Sequence, residues 1–303
     1  MILKQRTKSN ELKILRALDT RLKLLETEKN YYLNLEKGFK GEVEFDLLIE
    51  KSIPNETNIA INDFVYEINN TVFQVDSLLV SNNTIYLFEV KNFDGDYYIE
   101  KDRWYTSSDT EIKNPLQQLQ RTETLLRRLL KELGFGGIVK PYLIFINPEF
   151  HLYNAPRNSQ IIFPTQLNRF MYELSNKLMK TNSSDRKLSE KLLVLHLTES
   201  PYSRVPKYTY DQLTKGVYCR NCYTFISTPL VCSSCGEVED HTTAIIRHTH
   251  EFNLLFPDDK ITTKVIWEWC GQFMAKKTIH SVLSKSFKVN GYGKSRFFTI
   301  DRP

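Results

Sequence analysis

The chain has 303 residues, of which 41% are hydrophobic and 25% charged, with only 11 glycines and 11 prolines; this is the make-up of a folded protein of about two domains and excludes a disordered or fibrous chain. No apolar run approaches the roughly 18 residues of a membrane-spanning helix, and residues 1–21 are rich in Lys, Arg and Glu where a signal peptide would be apolar, so a cytoplasmic protein with no membrane partner is expected. The formal net charge of +5 suits a polyanionic partner without demanding one.

Residues 10–28 read as one charged helix, with Leu15, Leu18, Leu22 and Leu25 at alternating three- and four-residue steps. That seam spans two heptads at most, and a coiled coil needs about three or four. A helix docked on its own domain is therefore expected, with a homodimer zipper as the alternative. A second helix is expected at about 30–50. Strands follow at 59–66, 71–80 and 84–91, β-branched or aromatic and separated by Asn-rich breaks, with another at 97–100 after Asp94-Gly95. Asn114-Pro115 supplies an N-cap and a proline at the first helical position, opening a helix through Leu116, Leu119, Leu126, Leu129, Leu130 and Leu133 to a stop at Gly134. Residues 139–146 form a continuous apolar run of the kind buried on both faces of a sheet. A strand at 161–163, a helix at about 164–179, a polar break at 181–185 and a strand at 192–197 complete this region.

The densest chemistry lies around Asn82-Asn83. A two-residue type I′ turn there, with Asn tolerating positive φ, pairs Val80 with Ile85, Leu78 with Leu87 and Asp76 with Glu89. Period-two alternation places Lys91 on the face of Glu89 and Gln74 opposite Lys91. Two carboxylates directly opposed on a hairpin repel unless a cation lies between them. A divalent metal meets that demand: magnesium or manganese prefers oxygen ligands and keeps several waters, so Asp76, Glu89, the carbonyl of Val90 and solvent make an incomplete shell ready for a phosphate. Lys91 is placed to orient a water and stabilise developing charge, and its acidic neighbours should raise its pKa rather than lower it. The competing interpretation is a solvated strand face with an accidental cross-strand pair.

Asp76 followed by Glu89-Val90-Lys91 resembles the D…E-x-K signature of the PD-(D/E)xK nucleases. More narrowly, Gly38-Phe39-Lys40-Gly41-Glu42, Phe73-Gln74-Val75-Asp76, Phe88-Glu89-Val90-Lys91-Asn92 with Gly95 after it, and Asn114-Pro115-Leu116-Gln117-Gln118 resemble the successive motifs of the NERD (nuclease-related domain) family. The resemblance covers about residues 31–179. It implies an α/β, restriction-endonuclease-like core, a mixed sheet flanked by helices. It further implies that Glu42 is the acidic residue of the first helix, that Asp76 and Glu89 bind metal, that Lys91 assists the water, and that Gln118 contacts metal-bound solvent or DNA. Glu42 shares a helical face with Phe39, Phe45 and Ile49, where an unpaired carboxylate is costly and a metal or lysine partner is expected; Glu44 is its rival. Gln118 lies in the first turn of its helix, where backbone N–H groups attract phosphate, and Gln117 is its rival.

Four cysteines then arrive within 17 residues: Cys219-x-x-Cys222 and Cys232-x-x-Cys235, separated by nine residues that should fold as a short hairpin. Two such pairs are the spacing of a tetrahedral structural zinc site. A closed four-thiolate shell has no open position, so this metal is separate from the one at the hairpin. Cys270 is left over and reads as a core thiol. The ribbon either supports nucleic-acid binding or only braces a small domain.

Residues 262–270, 274–284 and 288–300 read as helix, helix and hairpin around Gly291-Tyr292-Gly293, an order that resembles a winged helix-turn-helix. Lys276, Lys277, Lys285, Lys288, Lys294 and Arg296 cluster there against little acid and suit phosphate contacts; the alternative is a protein-interaction surface. The expected organisation is an N-terminal helix (1–29), a nuclease-like domain (30–200), a zinc ribbon (214–240) and a winged-helix-like DNA-binding domain (241–303). The expected activity is magnesium- or manganese-dependent hydrolysis of DNA, against two rivals: a non-catalytic DNA-binding protein and a protein-interaction scaffold.

Overall fold

The computed structural model describes residues 1–157, 160–198, 203–226 and 231–300, and leaves the side chain of Lys294 undescribed. In chain order the elements are β1 (Ile2–Lys4), α1 (Asn10–Arg21), α2 (Glu26–Ser52), β2 (Ile59–Ile68), β3 (Thr71–Ser81), β4 (Thr84–Lys91), β5 (Gly95–Glu100), β6 (Arg103–Thr106), β7 (Glu111–Ile112), α3 (Pro115–Glu132), β8 (Ile138–Phe145), β9 (Phe150–Tyr153) and β10 (Ile161–Ile162). They continue as α4 (Leu167–Lys177), α5 (Ser183–Leu195), α6 (His241–Leu255), α7 (Thr263–Trp269), α8 (Lys276–Ser286), β11 (Lys288–Asn290) and β12 (Phe297–Thr299). They fall into two units, Met1–Ser9 with Leu33–Ser203, and Asn10–Tyr32 with Arg204–Pro303.

The first unit is built on a six-stranded mixed sheet in the order β1-β2-β3-β4-β8-β10. β2, β3 and β4 run antiparallel to their sequence neighbours, while β1 with β2, β4 with β8 and β8 with β10 are parallel. Alternation sorts the strand residues to two faces. Leu78, Val80, Ile85 and Leu87 pack with Leu119, Leu126, Leu129 and Leu130 of α3 and with Leu188 and Leu192 of α5. Leu79, Tyr86, Phe88 and Val90 pack with Phe45 and Ile49 of α2, with Ile53 just after it, and with Met171 and Leu174 of α4. The sheet is thus covered by helices on both faces, the expected α/β arrangement. Burying each such apolar side chain stabilises by about 2 kcal/mol, and a one-residue slip of the β3–β4 register would turn both sets to the wrong face. A second sheet, β7-β6-β5-β9, adds Trp104, Phe150 and Leu152 to the first core.

Three expectations need correction. The helix expected over residues 10–28 is two helices: α1 stops at Arg21, and α2 starts at Glu26 with Glu28 Oε2 accepting the Leu25 N–H at 2.9 Å, half of a capping box. The polar break at 181–185 is a helix start, because Asn182 Oδ1 accepts from Ser184 and Asp185 N–H (2.8 and 2.9 Å) and Asp185 returns a bond to the Asn182 N–H (3.0 Å). The strand expected at 192–197 is the end of that helix, α5: Leu188 and Leu192 recur at a four-residue step and reach the core, and the two residues after the helix bond to Val65 of β2, His196 Nδ1 accepting its N–H and Leu197 N–H donating to its carbonyl.

In the second unit α6, α7 and α8 lead into the antiparallel β11–β12 hairpin, and Ile261 forms an isolated bridge with Phe298 of β12. Ala17 and Leu18 of α1 join the same core as Ile245, Phe252, Ile266, Trp269 and Ile279. A buried polar network accompanies them. Arg21 donates to both carboxylate oxygens of Glu251 (3.1 and 2.7 Å) and lies over the Trp269 ring at 4.0 Å, while Tyr218 and Trp269 also donate to Glu251. Cys270 is fully buried in this core, and burial pushes its thiol up to about 12. No helix among the described residues is long and apolar enough to cross a membrane.

Candidate active site

Asn82 and Asn83 take φ of +42° and +59°, the two left-handed residues of a type I′ turn. β3 and β4 then pair Ser81 with Thr84, Val80 with Ile85, Leu78 with Leu87 and Ser77 with Phe88, the register anticipated from the turn. The next step of that register sets Asp76 against Glu89, and the ladder ends just short of it. Asp76 instead reaches onto β4, where its Oδ2 accepts the Val90 N–H at 2.8 Å. Gln74 lies beyond the ladder's end and bonds Asp63 at 2.7 Å, so its expected place opposite Lys91 is not realised.

Glu89 is met by two donors. Its Oε1 accepts from Lys91 Nζ at 2.7 Å and from Gln118 Nε2 at 2.5 Å, and Gln118 Oε1 accepts from the same ammonium at 3.0 Å. Gln118 is brought there by α3, whose N-cap Asn114 accepts from the Leu116 and Gln117 N–H groups, while Gln117 points to solvent. Asp76 and Glu89 are 9% and 2% exposed, so both carboxylates have lost most of their water. Asp76 Oδ1 and Glu89 Oε2 take no hydrogen bond from a described residue.

Glu42 comes from α2, which packs on the sheet's other face. Gly41 permits the approach: a Cβ there would lie 2.5 Å from Asn92 Cβ. Where the sequence suggests a metal or a lysine beside Glu42, the side chain that meets it is an arginine. Arg6 donates to Glu42 at 2.7 Å, to both oxygens of Asp46 at 2.8 and 3.0 Å, and to the backbone carbonyl of Asp76 at 2.6 Å. Its side chain is 3% exposed. Glu44, the rival of Glu42, is exposed. Asp46, one turn after Glu42, was legible as an i+4 neighbour; Arg6, 36 residues from Glu42, carried no local signal. Asp63 was also missed. It sits at φ +55°, between the pairs Asn62–Ser77 and Phe64–Val75, and so opposite Asp76 on β2.

The electrostatics describe a site short of positive charge. Burial first, and then repulsion from Asp76, raises Glu42 to about 8 and Glu89 to about 7; burial also raises Asp76, against the pull of Lys91 and the Val90 N–H. For Lys91 burial works against the charge, but Glu89 and Asp76 outweigh it and raise the ammonium, so Lys91 is a proton-bearing donor here. Two desolvated carboxylates, each with a free oxygen, fit a divalent cation with oxygen preference. Among the described residues no three carboxylates bring their oxygens within 4.8 Å of one another, and Glu42 is tied to Arg6.

Residues 37–146 match the family model described as the nuclease-related domain, NERD. That stretch of the chain is similar to the nuclease-related domain. The matched stretch takes in Glu42, Asp76, Glu89, Lys91 and Gln118 and leaves out Arg6 and the cysteines. No curated protein matches the sequence. Among solved structures, the small subunit (R.BspD6I2) of the heterodimeric restriction endonuclease R.BspD6I is similar at 13% identity over 61% of this chain and 87% of that one, with a TM-score of 0.23, too distant to carry structural argument.

Outside the matched stretch, Cys219, Cys222, Cys232 and Cys235 bring their sulfurs within 4.8 Å of one another. The Cys219–Cys235 and Cys222–Cys232 separations are 3.6 and 3.4 Å. Zn–S bonds of about 2.3 Å in a tetrahedron set edges of about 3.8 Å, so the four thiols fit a zinc ion. The bridges Tyr218–Phe225 and Val231–Val238 flank them, and the tip of the expected hairpin, residues 227–230, lies outside the described residues. Lys276 and Lys277 open α8, Lys285 lies in its last turn, Lys288 is on β11 and Arg296 precedes β12, all exposed. Lys276 lies over the Trp267 ring at 3.9 Å. The side chain of Lys294 lies outside the described residues.

Proposed function

We propose that the chain is a metal-dependent deoxyribonuclease that hydrolyses phosphodiester bonds at the Asp76–Glu89 site. The reading is carried by one observation: within the family match, the buried Glu89 carboxylate is gripped by Lys91 and Gln118 from two elements while Asp76 is fixed beside it on the Val90 amide. Asp76 and Glu89 would hold Mg²⁺ or Mn²⁺ with the Val90 carbonyl as a further oxygen, and the ion would supply Lewis acidity and a more acidic water. Lys91 would offer its protonated amine to the scissile phosphate, a donor fixed before the reaction and therefore without reorganisation cost. Gln118 would keep Lys91 and Glu89 in register and orient solvent at the mouth of the site.

The second unit fits the delivery of DNA. Its helix-helix-helix-hairpin order suits a winged helix, its four thiols suit structural zinc, and Lys276, Lys277, Lys285, Lys288, Lys294 and Arg296 would neutralise phosphates in a salt-sensitive way. One observation favours a rival: Arg6 already pairs with Glu42 and Asp46, which suits a core that grips a polyanion without cutting it. Incubating pure protein with supercoiled plasmid and with linear single- and double-stranded DNA, with Mg²⁺, Mn²⁺ or EDTA, separates the two. Cleavage that requires metal supports the nuclease; a salt-dependent gel shift without cleavage supports the rival.

A further inference from the structure

Beside Gln118 a cleft of about 820 Å³ opens along the first turns of α3, bounded by the start of β3 and by the β6–β7 hairpin. Its volume is within the roughly 300–1,000 Å³ of pockets that enclose a nucleotide-sized group. Its lining is divided in a particular way. Val72, Phe73, Ile112 and Leu125 supply its apolar lining, and Lys113, Arg121, Gln117 and Gln118 its cationic and amide lining. Gln117, Gln118 and Arg121 share one helical face by their three- and four-residue spacing. Neither Lys113 nor Arg121 forms an ion pair with a described residue, whereas Glu111, one of the two acids in the lining, is paired with Arg103. The amino end of α3, an 18-residue helix, adds its positive pole to the same lining.

We propose that this cleft is the track for a single DNA strand running off the scissile phosphate, with Lys113 and Arg121 on successive backbone phosphates and a sugar or base against Val72 and Leu125. The proposal rests on the nuclease reading of the neighbouring site, and it names a substrate element which that reading leaves open. Gln118 joins the two: its amide holds Glu89 and Lys91 on one side and lines the cleft on the other. A strand seated in the cleft therefore continues directly into the catalytic carboxylates. Cations and an apolar lining without a shaped hydrogen-bonding cage give affinity that tolerates sequence.

The test compares K113A/R121A with wild type and with K187A/K191A, a charge-matched pair of exposed lysines on α5. Binding of a fluorescein-labelled single-stranded oligonucleotide is followed by anisotropy in EDTA across a salt series. Cleavage of the same strand is followed in Mn²⁺. Losing two phosphate contacts should lower the slope of log K against log salt by about 1.4 and weaken binding roughly tenfold or more. KM should rise with little change in kcat, and the K187A/K191A pair should behave as wild type. The proposal is overturned if K113A/R121A keeps the wild-type KM and salt slope, or changes no more than the control pair. If wild type cleaves normally in that case, the nuclease reading survives and only the track fails; if wild type neither binds nor cleaves, the nuclease reading fails as well. Thermal melting of both double variants confirms that the exposed substitutions leave the fold intact.

Discussion

The Asp76 carboxylate accepts the Val90 amide N–H at 2.8 Å, at the point where the β3–β4 ladder stops. A side chain takes over from the backbone there, and so one carboxylate oxygen is fixed while the other takes no hydrogen bond from a described residue. Asp76→Asn keeps an acceptor for Val90 and removes the charge, and Glu89→Gln does the same across the hairpin. Both variants should fold as wild type by melting and lose more than a hundredfold in cleavage rate, beyond the roughly 10–100-fold typical of supporting residues around a metal. Retained activity in either would remove that residue from the site.

Arg6 answers two carboxylates and a carbonyl at once. Removing it leaves Glu42 and Asp46 as half-buried acids without their cation, a change that costs less than the roughly 3–5 kcal/mol of a fully buried pair. Arg6→Ala should therefore lower the urea midpoint clearly. Arg6→Lys, which keeps the charge and loses the bidentate geometry, should recover part of the loss. Equal stability of Arg6→Ala and wild type would show the cluster to be indifferent to its cation.

The acids also predict a pH dependence. Glu89 rises to about 7 and Glu42 to about 8 from an ordinary 4.5, so between about pH 4.5 and 8 the folded chain binds more protons than the unfolded one. The contribution of these groups to stability accordingly falls as pH rises through that window and is level above it. A divalent ion competes with those protons. Added Mn²⁺ should raise the melting temperature more at pH 8 than at pH 5.5, and a metal effect that does not grow with pH would contradict this.

Asp185 holds the turn that sets the register, its two oxygens accepting from the Asn82 and Asn83 N–H groups at 2.8 and 2.9 Å. Asp185→Ala strands two amides and weakens the α5 cap, at a cost of about 1–3 kcal/mol. Hydrogen exchange at Asn82 and Asn83 should speed up in this variant, with the β3–β4 core protected as before. Unchanged exchange would mean that the turn needs no such support.

Zinc analysis of protein prepared without chelator should give one ion per chain, lost in C232A/C235A. That variant should lose DNA affinity or solubility through the second unit but retain Mn²⁺-dependent cleavage of short strands, because a four-thiolate shell has no catalytic position. Abolished cleavage in an otherwise folded C232A/C235A chain would tie the cysteines to the chemistry.

Much of the first unit was legible because its signals are local. Asn82-Asn83 between alternating apolar residues fixes both the turn and the register, and Asn114-Pro115 marks the start of α3 and so the place of Gln118. The errors come where a local pattern serves two structures. Residues 192–197 form a short apolar run that suits a strand, but the Asn182 cap upstream commits their first part to a helix. Leu22 and Leu25 continue a leucine seam that the helix itself does not continue. What stayed hidden at the site is long-range: nothing near Arg6 reveals that it crosses to Glu42, and Asp63 is placed by the β2–β3 register rather than by a motif.

Calorimetric titration of Mn²⁺ into metal-free protein, wild type beside Asp76→Asn and Glu89→Gln, addresses the paired carboxylates most directly. The expected result is a site in wild type, distinct from zinc, that disappears in both variants while zinc content is unchanged. A wild-type chain that takes up no Mn²⁺, or variants that bind it as tightly as wild type, would contradict the account.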